Sequence, residues 1–202
     1  MTNGASGVAR SPDWPAVSRW RKAERARLLE ARASLPRAER QRRARALLER
    51  LAEALPPLAS RTLAFYWPIK GEIDVVRFVR GALDTLAAAA LPVIVERSAP
   101  LEFWQWTSRT ELSSRGLWNI PTPVERLPVQ PDIVLVPVLG FDEGCYRLGY
   151  GGGYYDRTLA VLEPRPLAVG IGFDDARLPT IEPQPHDVPM DLIVTESTTL
   201  RR

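Results

Sequence analysis

An apolar run, Ile133 to Val138, is followed shortly by RLGYGGGYYDR, Arg147 to Arg157, and this succession limits the folds open to the chain. The run reads as a buried strand. Gly149, Gly151, Gly152 and Gly153 then strip side chains from the backbone, which permits left-handed conformations and close approach of a ligand. Tyr154, Tyr155, Thr158, Leu159 and Leu162 follow at helical spacing and predict a short helix. A strand, a glycine loop and a helix N-terminus make an anion site, because free amides and the helix dipole converge there. Arg147 adds a full positive charge at the start of the loop, and Asp156 falls in the first helical turn, where it can hold a metal ion. The plainer alternative is a connecting loop in which Asp156 only favours the helix dipole. The spacing G-x-G-G-G is neither the Gly-Lys-Ser/Thr phosphate loop nor the dinucleotide fingerprint G-x-G-x-x-G.

The rest of the chain supplies elements of the same kind. A first helix is predicted from about Pro15 to Ser34, with Pro36 ending it and opening a second, Arg37 to Leu55. There Ala44, Leu47, Leu48, Leu51 and Leu55 share one face. Arg61 to Trp67 reads as a strand, Asp74 to Ala90 as a helix capped by Asp74, and Leu91 to Glu96 as a second strand. Leu101 to Trp106 alternates as a more exposed third strand, and Leu117 to Pro123 is a proline-bounded loop. Leu167 to Ile171 and Leu192 to Thr195 complete the strands. Residues 1–13 are small and polar and read as a disordered tail before a single domain spanning 14–202. Strands alternating with helices predict an α/β fold: three α/β/α layers around a mostly parallel, Rossmann-like sheet. Ligands in such sheets bind beyond the carboxyl ends of the strands.

Composition excludes several classes. No apolar run has the length of a signal peptide core or a membrane span, and one cysteine permits no internal disulfide, so the expectation is a cytoplasmic protein without membrane contact. Net charge is +3, but residues 19–50 carry twelve of the 27 basic residues and four of the 24 acidic ones. A basic N-terminal third before an acidic remainder suggests an anionic ligand, nucleotide phosphates or nucleic acid. Most of those arginines read as a solvated face, with Arg21, Lys22 and Arg25 singled out. Interleaved aromatics and recognisable nucleic-acid modules are missing, which weighs against nucleic acid.

The full string GFDEGCYRLGYGGGYYDR, Gly140 to Arg157, resembles the signature of the 5-formyltetrahydrofolate cyclo-ligase family. YWPIKGEID at Tyr66–Asp74, LWNIPTP at Leu117–Pro123 and EPQPHDVPMDLIVTE from Glu182 resemble further segments of that family, in the same order. The resemblance implies a CoA-transferase-like version of the fold and ATP- and magnesium-dependent closure of 5-formyltetrahydrofolate to 5,10-methenyltetrahydrofolate by a monomer. It implies ATP contacts at Arg21, Lys22, Arg25, Arg147, Leu148, Gly149, Tyr150, Gly151, Gly152, Gly153, Tyr154 and Tyr155. It implies folate contacts at Trp67, Glu72, Trp118, Ile120, Tyr150, Gly151, Gly152, Gly153 and Tyr154. Catalysis then falls to Arg147, Tyr154 and Asp156, and magnesium to Asp156 and Asp191. The first helix departs from the family pattern of a lysine with an arginine four residues on, since Arg21 and Arg25 occupy those places beside Lys22. Cys145 reads as a small turn residue, not a nucleophile, and His186 as a loop-fixing hydrogen-bonding group. Two other classes stay open: a non-catalytic nucleotide or folate sensor, and a nucleic-acid binder.

Overall fold

The computed structural model describes residues 14–114 and 119–202. Helices α1 (Trp14–Ser34) and α2 (Arg37–Ala54) come first, followed by β1 (Thr62–Ala64), α3 (Val76–Ala82), β2 (Ala88–Val93) and β3 (Glu102–Trp106). Next are the short strands β4 (Leu112–Ser113) and β5 (Thr122–Pro123), then β6 (Ile133–Pro137) and the hairpin β7 (Gly140–Phe141) and β8 (Arg147–Leu148). Helix α4 (Tyr154–Val161) precedes β9 (Leu167–Ile171), β10 (Leu192–Val194) and β11 (Thr199–Arg201). Seven strands form one sheet in the order β11-β10-β9-β6-β1-β2-β3. The five inner strands are parallel, and β3 and β11 run antiparallel at the edges. The expected mostly parallel α/β sheet is therefore the observed one.

Both faces of the sheet are covered, which explains why its strands read as continuous apolar runs. Successive residues point to opposite faces. Leu63, Ile133, Leu135, Val169 and Val194 meet Leu47 and Leu51 of α2 and Val76 and Val79 of α3. Ala64, Ala90, Val134, Val136, Ala168 and Ile193 meet Leu28 of α1, Leu159 of α4 and Phe141 and Leu148 of the hairpin. Three alanines on the second face leave room for α1, α4 and the hairpin to lie close. Pro36 separates the first two helices as expected, since a proline disfavours helical backbone in the residue before it.

Several boundaries depart from expectation. The helix predicted to run from Asp74 to Ala90 ends at Ala82, and Ala88–Ala90 belong to β2. Alanine favours helix, but these alanines fill the narrow space beside β1, pairing Thr62 with Ala88 and Ala64 with Ala90. Tertiary packing overrides the intrinsic preference. The residue at the N-cap of α3 is Val75 and not Asp74 as expected; Asp74 lies one position earlier, where its Oδ1 accepts the Val76 N–H at 3.0 Å. The glycine loop does not leave β6 directly, because the β7–β8 hairpin intervenes, and Arg147 lies in β8. Cys145 occupies the hairpin turn at φ 61° and is fully buried, as a small turn residue should be. Strand β11 and the two small hairpins were not foreseen. Residues 1–13 and Trp118 lie outside the described residues, so neither the tail nor the Trp118 expectation meets a structural observation. No described helix is long and apolar enough to cross a membrane.

Candidate active site

A cavity of about 880 Å³ opens at the carboxyl ends of β1, β2 and β6. Its floor is the glycine loop. One wall is the segment after β1, carrying Trp67 and Glu72, and another is α1, carrying Arg21 and Arg25. The loop owes its shape to two glycines. Gly151 has φ 95°, and Gly153, the residue before α4, has φ 64°; both are left-handed conformations that other residues rarely adopt. A Cβ on Gly153 would lie 2.8 Å from Nη1 of Arg157.

Side chains hold this backbone open. Arg25 Nε donates to the Gly149 carbonyl at 2.7 Å, and Arg157 Nη2 to the Gly152 carbonyl at 2.7 Å. The Arg157 guanidinium also lies 4.9 Å from the centre of the Tyr154 ring. Among the described residues the N–H groups of Gly151, Gly152 and Gly153 have no protein acceptor. Arg147 is 8% exposed, and its guanidinium carbon sits 5.5 Å from the Tyr155 ring centre. Its Nη2 approaches Asp156 Oδ2 at 3.1 Å, yet neither Nε nor Nη2 makes an aligned hydrogen bond. Asp156 Oδ1 accepts the Val188 N–H at 3.2 Å. The loop thus presents free amides and a buried, under-satisfied cation to one cavity. Five cations (Arg21, Arg25, Lys70, Arg147 and Arg157) face three carboxylates (Glu72, Asp156 and Asp187) around it. Burial, and then the neighbouring Arg21, depress the Arg25 pKa against the pull of Asp187. An anion in the cavity would relieve both the unpaired amides and this crowding of positive charge.

Glu72 accepts two hydrogen bonds in a small network. Its Oε2 accepts the Ile69 N–H at 2.8 Å and its Oε1 accepts the Tyr150 hydroxyl at 2.8 Å. Burial raises its pKa, opposed by those two hydrogen bonds and by Arg32 and Lys70. Trp67 and Ile120 line the same cavity.

The structure brings most of the expected residues together and leaves two apart. Arg21, Arg25, Trp67, Glu72, Ile120 and the stretch Arg147–Asp156 come together at the cavity. Lys22 does not: it lies exposed on the outer side of α1. Asp191 does not either. It precedes β10, at the amino ends of the strands, where Oδ1 pairs with Arg165 at 2.8 Å and Oδ2 accepts the Ala168 N–H at 2.8 Å. The two aspartates expected to share a magnesium ion stand at opposite ends of the parallel sheet. Arg21 reaches the wall but is already engaged. It holds Asp187 through Nη1 at 3.2 Å and Nη2 at 2.5 Å, and donates to the Ile181 and Glu182 carbonyls. Burial acts to raise the Asp187 pKa, but the Arg21 and Gln184 hydrogen bonds outweigh it and leave the carboxyl below its ordinary value. His186 meets Trp14 edge-on at 5.6 Å, at the rim. Sequence reasoning missed Arg32, Arg157 and Asp187. Arg157 ends the glycine string and was visible as a motif residue; Arg32 and Asp187 act through partners far away in sequence, which no local pattern reveals.

The profile of the 5-formyltetrahydrofolate cyclo-ligase family matches residues 17–196. The 5-formyltetrahydrofolate cyclo-ligase of Mycolicibacterium smegmatis is 32% identical over 180 residues, covering 85% of this chain and 91% of that protein. That of Mycoplasma pneumoniae is 29% identical over 174 residues, covering 85% and 96%. Among solved structures, the 5,10-methenyltetrahydrofolate synthetase of Aquifex aeolicus superposes with a TM-score of 0.77 at 30% identity, covering 90% of this chain and 92% of that one. The Mycoplasma pneumoniae synthetase gives 0.71 at 26% identity, covering 87% and 98%.

Proposed function

The chain belongs to the 5-formyltetrahydrofolate cyclo-ligase family, and on that premise we propose that it closes 5-formyltetrahydrofolate to 5,10-methenyltetrahydrofolate with ATP as the second substrate. The formyl oxygen takes the γ-phosphoryl group, the bond to the bridging oxygen of ATP breaks, and ADP leaves. The folate's second nitrogen attacks the activated formyl carbon and loses its proton. The carbon–oxygen bond then breaks, and phosphate departs with the former formyl oxygen. An amide-like oxygen is a weak nucleophile, so positioning and neutralisation of phosphate charge are what the protein must supply.

The observation that carries this reading is Arg147, a buried guanidinium with two nitrogens that make no aligned hydrogen bond, one of them ion-paired with Asp156, on the same loop as three glycine amides without an acceptor among the described residues. Charge-assisted hydrogen bonds from such groups suit phosphate oxygens. Arg25, already on the loop at Gly149, adds charge from α1. Tyr154 and Tyr155 wall the nucleotide side, while Trp67, Ile120 and Glu72 face the folate. Glu72 supplies an acceptor for a folate N–H. Arg21 contributes by locking α1 to the Glu182–Asp187 segment. The donor set fits a magnesium ion carried mainly by phosphate oxygens and water, with the Asp156 carboxylate at the cavity wall as its protein ligand. When bound, the ion would neutralise charge on the transferring phosphoryl group. The protein works as a cytoplasmic monomer in this reading, without nucleic acid.

The test is an absorbance assay. Purified protein with magnesium, ATP and 5-formyltetrahydrofolate should develop the near-ultraviolet band of the conjugated methenyl product, one ADP released per ring closed. ATP hydrolysis without folate should be slow, because the phosphoryl acceptor is missing. Saturable ATP binding with no methenyl product at any folate concentration would favour a nucleotide or folate sensor instead.

A further inference from the structure

The Tyr150 hydroxyl has one proton, and its two hydrogen-bond partners decide where it points. Arg32, in the last turn of α1, is 7% exposed. Its Nη2 donates to the Val138 carbonyl at 2.7 Å, which fixes the guanidinium against the end of β6. Its Nη1 donates to the Tyr150 oxygen at 3.2 Å. A guanidinium can only donate, so the tyrosine oxygen must accept there and spend its proton elsewhere. The partner within reach is Oε1 of Glu72. The other Glu72 oxygen accepts from Ile69 N–H. Each carboxylate oxygen therefore holds one donor and keeps one lone pair, and Glu72 lines the cavity.

We propose that Arg32 is a positioning residue for the folate half of the site: through the Tyr150 hydroxyl it keeps Glu72 an ionised acceptor and ties the tip of the glycine loop to the segment after β1. This rests on the folate reading of Glu72 given above. Burial alone pushes the Glu72 carboxyl toward its neutral form, in which one oxygen would carry a proton and repel a folate N–H. The groups that face it are Arg32 from α1, Lys70 and the Ile69 N–H from its own loop, Tyr66 beyond β1, and Tyr150 and Tyr155 from the glycine loop and α4. Tyr66 and Tyr155 are buried and neutral, with the Tyr66 hydroxyl committed to the Ile73 carbonyl at 3.0 Å. Lys70 lies over the Tyr150 ring at 5.4 Å. The Arg32–Tyr150 pair is thus the device that links the basic first helix to this carboxylate. It also couples the two substrates' walls, because Tyr150 sits between Gly149 and Gly151 of the phosphate-facing loop.

The test reads Glu72 directly. NMR of isotope-labelled glutamate carboxyl carbons, with the Glu72 signal identified by its loss in Glu72→Gln, gives the midpoint of its titration without any substrate. Tyr150→Phe removes only the hydroxyl and should raise the midpoint by about one pH unit, the weight of one hydrogen bond to a charged group. Arg32→Gln should raise it in the same direction. If that variant does not fold, Arg32→Lys replaces it, since lysine keeps a donor for Val138 but lacks the second nitrogen that reaches Tyr150. In the same variants the folate KM should rise at neutral pH. A midpoint that is unmoved or lowered in Tyr150→Phe, or in the folded Arg32 variant, overturns the proposal. A wild-type protein that makes no methenyl product would instead overturn the folate reading, and the NMR result separates the two failures.

Discussion

The two ends of the parallel sheet use the same kinds of residue for opposite purposes. At the amino ends, aspartates close the ladder. Asp132 Oδ2 accepts the Thr62 N–H at 2.7 Å, and Asp191 Oδ2 accepts the Ala168 N–H while Oδ1 pairs with Arg165. Every carboxylate oxygen named there has a partner that holds a strand or a connection in place. At the carboxyl ends the accounting is left open. Arg147 has two nitrogens without an aligned hydrogen bond, one of them against Asp156, the amides of Gly151, Gly152 and Gly153 have no acceptor among the described residues, and Lys70, Gly151 and Gly153 take left-handed backbone conformations. Buried polar groups ordinarily find partners, so a cluster of unpaired donors at one end of a well-packed sheet marks where a ligand completes the structure. The magnesium role expected of Asp191 came from the family resemblance alone, and the structure places that aspartate at the amino end of β10. An aspartate's chemistry is legible in a string, but the end of the strand on which it stands is not.

The largest effect should come from the open end. Arg147→Ala removes a buried cation at the start of the glycine loop and should lower turnover by about 100- to 1000-fold, the usual cost of deleting a preorganised charge-stabilising donor. Steady-state methenyl formation measures it; a variant with wild-type turnover would remove Arg147 from the site. Second comes a saturated group within the open end. Asp187→Asn leaves the buried Arg21 short of its countercharge and should cost about 3 kcal/mol in denaturant unfolding at neutral pH. Because the folded Asp187 pKa is depressed, its contribution is complete above the ordinary carboxyl range and fades as pH falls through the folded value. The stability gap between wild type and variant should therefore shrink below about pH 4. A gap that widens on acidification would contradict this assignment.

Much of the fold was readable because burial on both faces imposes a simple pattern. The parity of Ile133, Leu135 against Val134, Val136 needs only a period of two, and the Leu47, Leu51 face of α2 a period near four. The alanine run before Leu91 was misread because its helix preference is intrinsic, whereas its strand role depends on the space beside β1. The site was legible where it is contiguous: Arg147 to Asp156 is one string, and the structure leaves it one surface. It was illegible where it depends on closure of the chain. Arg32 meets Tyr150, and Arg21 meets Asp187, only after α1 docks across the sheet. Lys22 and Arg21 are neighbours with equal charge, and only the rotation of α1 decides which one is buried.

Two smaller effects sharpen the contrast from the closed side. Asp191→Asn should cost about 1 kcal/mol of stability, the weight of a strand-end hydrogen bond and a half-exposed ion pair, measured by urea unfolding. Lys22→Gln, on the solvent face of α1, should leave stability within about 0.5 kcal/mol and the ATP KM unchanged. A raised ATP KM in Lys22→Gln would mean that α1 rotates or shifts when nucleotide binds.

The most direct test sets the two aspartates side by side. Initial rates of methenyl formation are measured across a magnesium titration for wild type, Asp156→Asn and Asp191→Asn at saturating ATP and folate. With function confined to the carboxyl ends of the strands, Asp156→Asn loses most of its turnover and needs more magnesium for what remains, while Asp191→Asn keeps the wild-type magnesium dependence. A magnesium requirement displaced in Asp191→Asn, or unchanged turnover in Asp156→Asn, would contradict it.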